Sequence, residues 1–510
     1  MKQTKKKAGA GDAGAGGRKG AGAGARGGGS TLSLLVILVV PITCAILAAL
    51  VLNNNKAADS QQHATTSISD DDLLSFSLFP GAPLADKPGR VAVGLNSCVD
   101  LIVPALEVFK SLSLLGDGIE AKDHDQISSL KELQETFRFF FQQGGAGERF
   151  VASASVMDRI VGSAKLLESG RLFVGGNAAL MGLTIKSMDD SVEVLMGGGV
   201  GPKLQDLLKQ KMSFPSGSLL SADDYHVILE YPKGATWANV TAPRANRFII
   251  SHDQTNSQMR TLEEFSSSMN DFGPDAVVLS GVHMLEGEAE SFRSSRLDDF
   301  VDMLKAIPKH TPIHFELASM ASVDFVGEIV KKVFPYVDSI GLNEQELQLV
   351  ARAANGPYKD LVTNGHADTG LVGETIYWLL KTFAGQDNES RLSRVHFHSL
   401  TFHIIAHTAN SWTNTKKATV AGSWACTRRA CGGSNKTVTV QEVSRMLPSS
   451  FSISSSTQME LKSSTPAVGW TRANIDFFLA PVYVCHNPGS TVGLGDTISA
   501  TGLFYSKFVG

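Results

Sequence analysis

Thr491-Val-Gly-Leu-Gly-Asp-Thr-Ile-Ser-Ala-Thr501 lies close to the C-terminus and forms the hub of the chain. The run before it, Phe477-Phe-Leu-Ala-Pro-Val-Tyr-Val-Cys485, is apolar and strand-like. A small polar turn follows, and a helix opens at about Asp496. Gly493 and Gly495 permit positive φ and let a ligand approach the backbone. The first amides of a helix have no partner within it, so they gather an anion. Asp496 puts a carboxylate where those amides converge. Two readings stand at this point. Asp496 is an N-cap after a Gly-rich turn, or it takes a proton from a hydroxyl while the amides hold a phosphoryl group.

Further upstream, short apolar runs alternate with helical stretches. Arg90-Val-Ala-Val-Gly-Leu-Asn-Ser-Cys-Val-Asp100 reads as a strand ending in polar groups, with a helix-like stretch over 101–115. Strands are also expected near 171–175, 191–196, 225–231, 247–253, 276–281, 312–317, 339–342 and 394–399. Helices are expected at 130–143, 261–272, 288–306, 324–334, 344–353 and 374–383. This alternation predicts an α/β fold with a mostly parallel sheet flanked by helices. Residues 408–470 are rich in Ser, Thr and Lys and give no clear pattern beyond loops and edge strands.

The chain has 510 residues, 43% of them apolar and 19% charged, enough for a large core and more than one lobe. Its net charge of −4 implies no basic face, so nucleic acid is not an expected partner. The five cysteines show no paired CxxC spacing, and no zinc site is expected. Cys426 and Cys485 could bridge a loop to the strand feeding the terminal motif, with Cys431 a competing partner.

Residues 1–30 form a basic Gly/Ala-rich tail that cannot bury a core and is expected to be disordered. Residues 31–52 carry no charge and are long enough to span a bilayer, which takes roughly 20 apolar residues. They read as an uncleaved signal anchor, with a cleaved signal peptide and secretion as the alternative. Basic residues precede the segment, so the positive-inside rule sends the remainder into a lumen. The sequons at Asn239, Asn388 and Asn435 agree with that topology. Residues 53–88 read as a polar stalk, and the catalytic fold occupies 89–510.

Several candidate site residues lie at strand ends. Asn96 and Asp100 pair an amide with a carboxylate, which suits sugar hydroxyls or an Asx-turn with an N-cap. Glu148 binds a substrate or sits in a solvated loop. Gly175 and Gly176 would let a ligand touch the backbone, with Asn177 pointing at it. Glu316 and Glu346 are hard donors suited to Mg²⁺, although Asn343-Glu-Gln-Glu346 also fits an N-capped helix with acids in its first turn. Alternation puts His396 and His398 on one strand face, but with His403 they lack ligand spacing, and a structural role is expected for them.

Taken in order, these stretches resemble the eukaryotic ADP-dependent glucokinase family of the ribokinase-like superfamily. The resemblance runs from about Arg90 to Lys507. It is carried by Gly-Leu-Asn-Ser-Cys-Val-Asp (94–100), Val-Gly-Gly-Asn-Ala-Ala-Leu (174–180), Val-Gly-Pro-Lys-Leu (200–204) and Ala-Asn-Arg-Phe-Ile-Ile-Ser-His-Asp (245–253), followed by Val-Val-Leu-Ser-Gly (277–281), Glu-Leu-Ala-Ser-Met (316–320), Gly-Leu-Asn-Glu-Gln-Glu-Leu (341–347) and Thr-Val-Gly-Leu-Gly-Asp (491–496).

The resemblance implies a large α/β lobe and a smaller, mainly β lid drawn from about 96–250. It implies transfer of the β-phosphoryl of ADP to the 6-hydroxyl of D-glucose, giving glucose 6-phosphate and AMP. By motif, Asp496 is the base, and Gly493, Leu494 and Gly495 are the anion hole. Asn96, Asp100, Glu148, Gly176 and Asn177 fall at sugar-contact positions, and His226 lies near one. Arg247 matches a phosphate-binding arginine, and Glu316 and Glu346 organise Mg²⁺, partly through water. A monomeric catalytic domain is expected, lumenal in the endoplasmic reticulum or another endomembrane. Two rivals follow: an ATP-using or phosphosugar kinase of the same superfamily, and a catalytically silent sensor of nucleotide or sugar. Glu148 opposes a phosphosugar, because a carboxylate there would repel one.

Overall fold

Apolar, often β-branched runs bounded by polar turns form strands buried on both faces. In the computed structural model such runs build a mixed sheet of nine strands. Residues 87–510 are described, apart from 209–210, 364–365, 386–389, 434–436, 455, 463–465 and 490–491. The expected tail, anchor and nearly all of the stalk therefore lie outside the described residues, as do Asn388 and Asn435. No helix among the described residues is long and apolar enough to cross a membrane.

The spatial order is Glu193–Met196, Arg90–Leu95, Ala276–Ser280, Ile313–Glu316, Ser339–Leu342, Arg394–His398, Phe402–Thr408, Ile475–Pro481 and Val468–Arg472. The first six strands run parallel. The last three are antiparallel additions. Alternate residues feed two cores. Ala92, Val277 and Leu279 join the core that holds Phe300, Phe315 and Phe325. Val91, Val93 and Val278 join the core that holds Ala179, Ala500 and Leu503. Such sheets bind ligands at the carboxyl ends of their strands. Asn96, Glu316, Asn343 and His398 all sit at those ends.

A second, mixed sheet has six strands: Gln126–Ile127, Gly147–Val151, Asn246–Ser251, Tyr225–Tyr231, Cys98–Pro104 and Arg171–Gly175. One face packs Leu101, Val103, Val227, Leu229 and Phe248 against Phe109, Phe137 and Phe141. Side chains alternate across a strand. The other face therefore carries Cys98, Asp100, Glu148, His226 and Arg247. In register, Asp100 sits opposite His226, and Ile249 opposite Glu148. The helix Leu130–Gln143 covers the core face. Ser129 caps it by accepting from the Glu132 amide, and Gly144 ends it at φ 60°.

Three expectations need correction. Residues 101–104 are strand, not helix. Val99, Ile102 and Val103 are β-branched, and Cys98–Pro104 pairs on both sides, with Tyr225–Tyr231 and Arg171–Gly175. The helix begins only at Ala105.

Residues 415–430, which gave no pattern, form a 16-residue helix. Its polar residues are buried because their hydroxyls bond to backbone carbonyls. Thr419 donates to the Thr415 carbonyl at 2.8 Å, and Thr427 to the Ser423 carbonyl at 3.0 Å. Small residues let it approach the terminal helix Leu494–Tyr505: a Cβ on Gly422 would lie 3.1 Å from the Ile498 carbonyl oxygen. An apolar period therefore never appears in this stretch.

The disulfide joins Cys431, not Cys426, to Cys485. Cys431 caps the C-terminus of the 415–430 helix, whereas Cys426 lies inside that helix and packs on Val482 and Ile498. The bridge spans 54 positions of sequence, so loop-closure arguments give about 4 kcal/mol. Peptide mapping without reduction should recover Cys431 linked to Cys485, and Cys485→Ser should lower the thermal midpoint. A Cys426–Cys485 cross-link would overturn this pairing.

Candidate active site

The terminal helix opens at Leu494, two residues earlier than expected. Gly493 is its N-cap at φ 68°. Asp496 is therefore not the cap. It lies one turn in, is buried, and accepts from Asn177 Nδ2 at 2.9 Å. Gly493 has no side chain to satisfy the first amides, and Gly493, Leu494, Gly495 and Asp496 all line one cavity. Gly495 must be small. A Cβ there would lie 2.7 Å from the His398 ring.

Asn177 starts the helix Asn177–Met188, directly after Gly176 at φ 84°. Its Oδ1 accepts from Asn96 Nδ2 at 3.3 Å, and Asn96 Oδ1 accepts from the Ala178 amide at 3.0 Å. Gly176 lets the turn sit on Ser97 and Asn96, because a Cβ would lie 2.6 Å from the Ser97 Cα. Asn96, Asn177 and Asp496 thus form one hydrogen-bonded chain linking three elements.

Glu316 closes the far wall of the cavity. It is buried, and its oxygens pair with His398 Nε2 at 2.7 Å and His314 Nε2 at 3.0 Å. Burial alone would push the carboxyl up, but the bonds from His314 and His398 outweigh it and hold the group at about 2. His398 answers in kind: burial opposes its charge, and Glu316 lifts it to about 9. Behind them, His314 Nδ1 meets Ser339 Oγ at 2.9 Å, and Arg394 donates to the same hydroxyl at 2.7 Å. Burial, then the Glu316 charge, push Asp496 up to about 6, while Asn177, His398 and Arg429 pull the other way.

Glu346 lines the same cavity, and its carboxylate also completes a capping box. Its oxygens accept from the Asn343 amide at 2.7 Å and from Asn343 Nδ2 at 3.0 Å. The capped-helix and cavity-facing readings therefore both hold. Burial pushes Glu346 up to about 8, despite the Asn343 amide. Arg247 reaches the cavity from the smaller sheet. Its guanidinium makes no hydrogen bond or ion pair among the described residues.

Asn96, Asp100, Glu148, Gly176 and His226 do not line this cavity. Asp100 lies beside Gly175 and opposite His226, and both Arg247 and Glu148 act on the Asp100 charge. His226 Nε2 pairs with Asp253 at 2.9 Å. His396 pairs with His403 at 3.0 Å, a buried structural contact.

Two residues were missed from sequence. His398 sits on a strand that read as structural, and only the chain's folding brings it to Glu316. Arg429 belongs to the helix that showed no period. Its Nε donates to the Val492 carbonyl at 3.3 Å, fixing the loop before Gly493, and a Cβ on Gly493 would lie 3.2 Å from its Nη2. The only sequence signal was two adjacent arginines, Arg428 and Arg429, ahead of a cysteine.

A family model described as the ADP-specific phosphofructokinase/glucokinase conserved region matches residues 89–505. An ADP-dependent glucokinase of Bos taurus is 41% identical over 82% of this chain and 84% of its own length. A probable ADP-dependent glucokinase of Caenorhabditis elegans is 35% identical over 83% of this chain and 87% of its own length. Among solved structures, an ADP-dependent kinase complex with fructose-6-phosphate and ADPβS superposes with a TM-score of 0.57 at 18% identity, over 86% of this chain and 98% of that one. The fold is thus the ribokinase-like α/β fold seen in such kinases, and the chain belongs to the ADP-specific phosphofructokinase/glucokinase family of ADP-dependent kinases.

Proposed function

We propose that this enzyme transfers the β-phosphoryl group of ADP to the 6-hydroxyl of D-glucose. The observation that carries the mechanism is the buried Asp496 carboxylate in the first turn of a helix whose free amides face the same cavity. The sugar O6 forms a bond to the β-phosphorus, and the bond from that phosphorus to the bridging oxygen breaks. Asp496 takes the O6 proton, and AMP leaves with the bridging oxygen. Phosphoryl transfer needs positioning and charge neutralisation more than covalent help.

The amides of Gly493, Leu494 and Gly495 hold the transferring group. Arg247, unpaired and planar, suits phosphate oxygens. Arg429 adds a second positive charge beside Gly493. Asn96, Asp100, Glu148, Gly176, Asn177 and His226 form the sugar subsite. A free sugar is preferred because Asp100 and Glu148 would repel a phosphosugar. Closure of the smaller sheet over the sugar would exclude water, which competes with it as acceptor.

The donor set fits Mg²⁺. Glu316 and Glu346 are hard oxygen donors lining one cavity, and both are already hydrogen-bonded, so they would hold the ion partly through water. When bound, Mg²⁺ neutralises the diphosphate charge.

One chain supplies both Arg247 and Asp496, which favours a monomer. The uncharged run 31–52 would hold the enzyme at an endomembrane such as the endoplasmic reticulum, with the catalytic domain lumenal. The Cys431–Cys485 bridge fits an oxidising compartment, and Asn239 is exposed at a hairpin turn where a glycan can attach.

The deciding assay supplies glucose and Mg²⁺ with ADP or ATP and quantifies AMP. Glucose 6-phosphate with stoichiometric AMP from ADP alone is expected. Turnover only with ATP would replace the donor, and nucleotide binding without turnover would favour a sensor.

Asp496→Asn should lower kcat by about 100- to 10,000-fold while sugar and nucleotide still bind. Near-normal turnover would remove Asp496 from the chemistry. Because Asp496 is raised to about 6 from 3.8, it is protonated and inactive as a base below that value. A plot of kcat/KM against pH should therefore rise through about pH 6 and level above it.

Arg429→Met should reduce kcat/KM for ADP by roughly 10- to 100-fold, the usual range for one charge-assisted hydrogen bond. An unchanged value would confine Arg429 to holding the loop.

A further inference from the structure

Cys98, Asp100 and His226 stand together on the face of the smaller sheet opposite its aromatic core. One possible ligand atom from each lies within 4.8 Å of the other two. Cys98 Sγ is 3.6 Å from Asp100 Oδ1, and both project from one strand at a spacing of two. His226 arrives from the neighbouring parallel strand, directly opposite Asp100.

Two further features resemble those of a built site. Asp253 holds His226 Nε2 at 2.9 Å, and the Asn256 amide anchors Asp253 at 2.9 Å. A carboxylate behind an imidazole is the usual outer support of a metal-ligating histidine, and it leaves Nδ1 for the metal. Gly175 faces Cys98 across the antiparallel pair. A Cβ there would lie 2.2 Å from Asp100 Oδ1 and 2.6 Å from Cys98 Sγ, so glycine keeps the space beside both donors clear.

The donor set selects the ion. A thiolate, an imidazole and a carboxylate suit a borderline ion such as Zn²⁺, whereas Mg²⁺ takes oxygen donors. Three protein ligands leave one tetrahedral position open. CxxC spacing could not reveal this set, because two donors share a strand and the third follows more than a hundred residues later.

We propose that Cys98, Asp100 and His226 form a site for one divalent cation of the Zn²⁺ class, and that an ion there excludes the sugar. The second half rests on the sugar-binding role given above to Asp100 and His226. Metal binding requires the thiolate and so releases the thiol proton. The ion would act as an inhibitor, not as a cofactor.

The test uses the full chain with Cys44→Ser and Cys426→Ser, so that Cys98 is the only thiol outside the disulfide. Co²⁺ is titrated in without sugar while the cobalt–thiolate charge-transfer band is followed, and bound metal per chain is counted. One Co²⁺ per chain with a thiolate band is expected. Cys98→Ser and Cys98→Ala should abolish the band, and glucose should suppress it. Zn²⁺ should raise the apparent KM for glucose without lowering kcat. Cys98→Ser should turn over normally without zinc and need more than the roughly 10- to 100-fold extra zinc that loss of an outer partner alone would demand for the same inhibition.

Absence of the band in the parent protein would overturn the proposal whatever the variants do, as would a band that survives both Cys98 substitutions. A band that glucose leaves untouched keeps the metal site and removes Asp100 and His226 from the sugar subsite. Loss of kinase activity alone bears on the functional reading and not on the band.

Discussion

One buried carboxylate, that of Glu316, sets the electrostatics of the whole cavity. A charge out of water is costly unless it is paired and hydrogen-bonded. Here two histidines satisfy it, and one of them, His398, owes its charge to it. His398 is lifted and stays charged against Glu316, while burial lowers His314. Arg394, also fully buried, is linked by hydrogen bonds to Glu316 through Ser339 and His314. The result is a rigid wall of fixed charge at the strand ends. Glu316 is also part of what raises Asp496, so a strand in the middle of the sequence tunes a carboxyl group on a helix near its C-terminus.

Glycine makes the second constraint possible. The terminal helix and the strand Arg394–His398 approach at backbone distance, because Gly495 meets His398 and Gly502 meets His396. These glycines are seven apart, two turns of helix, and the histidines are two apart on one strand face. The same close packing recurs where Gly422 of the 415–430 helix meets Ile498. A helix N-terminus is thereby pressed into the wall that Glu316 stabilises, and its amides and Asp496 keep a fixed geometry. Preorganisation of this kind is what electrostatic catalysis requires.

Legibility from sequence followed the physics. Strands such as Ala276–Ser280 and Ser339–Leu342 were visible because burial on both faces leaves an uninterrupted apolar run. The helix Leu130–Gln143 was visible because one face is apolar and the other is not. The 415–430 helix was invisible because its buried face is rich in Thr, Ser, Ala and Gly, with Thr419 and Thr427 bonding within the helix and Ser423 to the Pro481 carbonyl. Arg429 was lost with it. Asp496 was legible as a carboxylate at a helix start, but its partner Asn177, more than three hundred residues away, is set by tertiary structure. The bridge to Cys485 depends on which cysteine stands at the helix end, and sequence order left Cys426 and Cys431 both open.

Four carboxyl groups crowd the cavity. Glu316, Glu344, Glu346 and Asp496 all line it, against Arg247, His398 and the helix amides. Burial and the nearby acids already push Glu346 up to about 8. Under the proposed function, a divalent cation entering with the phosphates would displace the proton held on Glu346 and turn the carboxylates into ligands. Nucleotide and metal are then expected to bind as one unit. The acids would then favour a metal-bound diphosphate over a bare phosphate ester, a selection made before the chemistry proposed for Asp496.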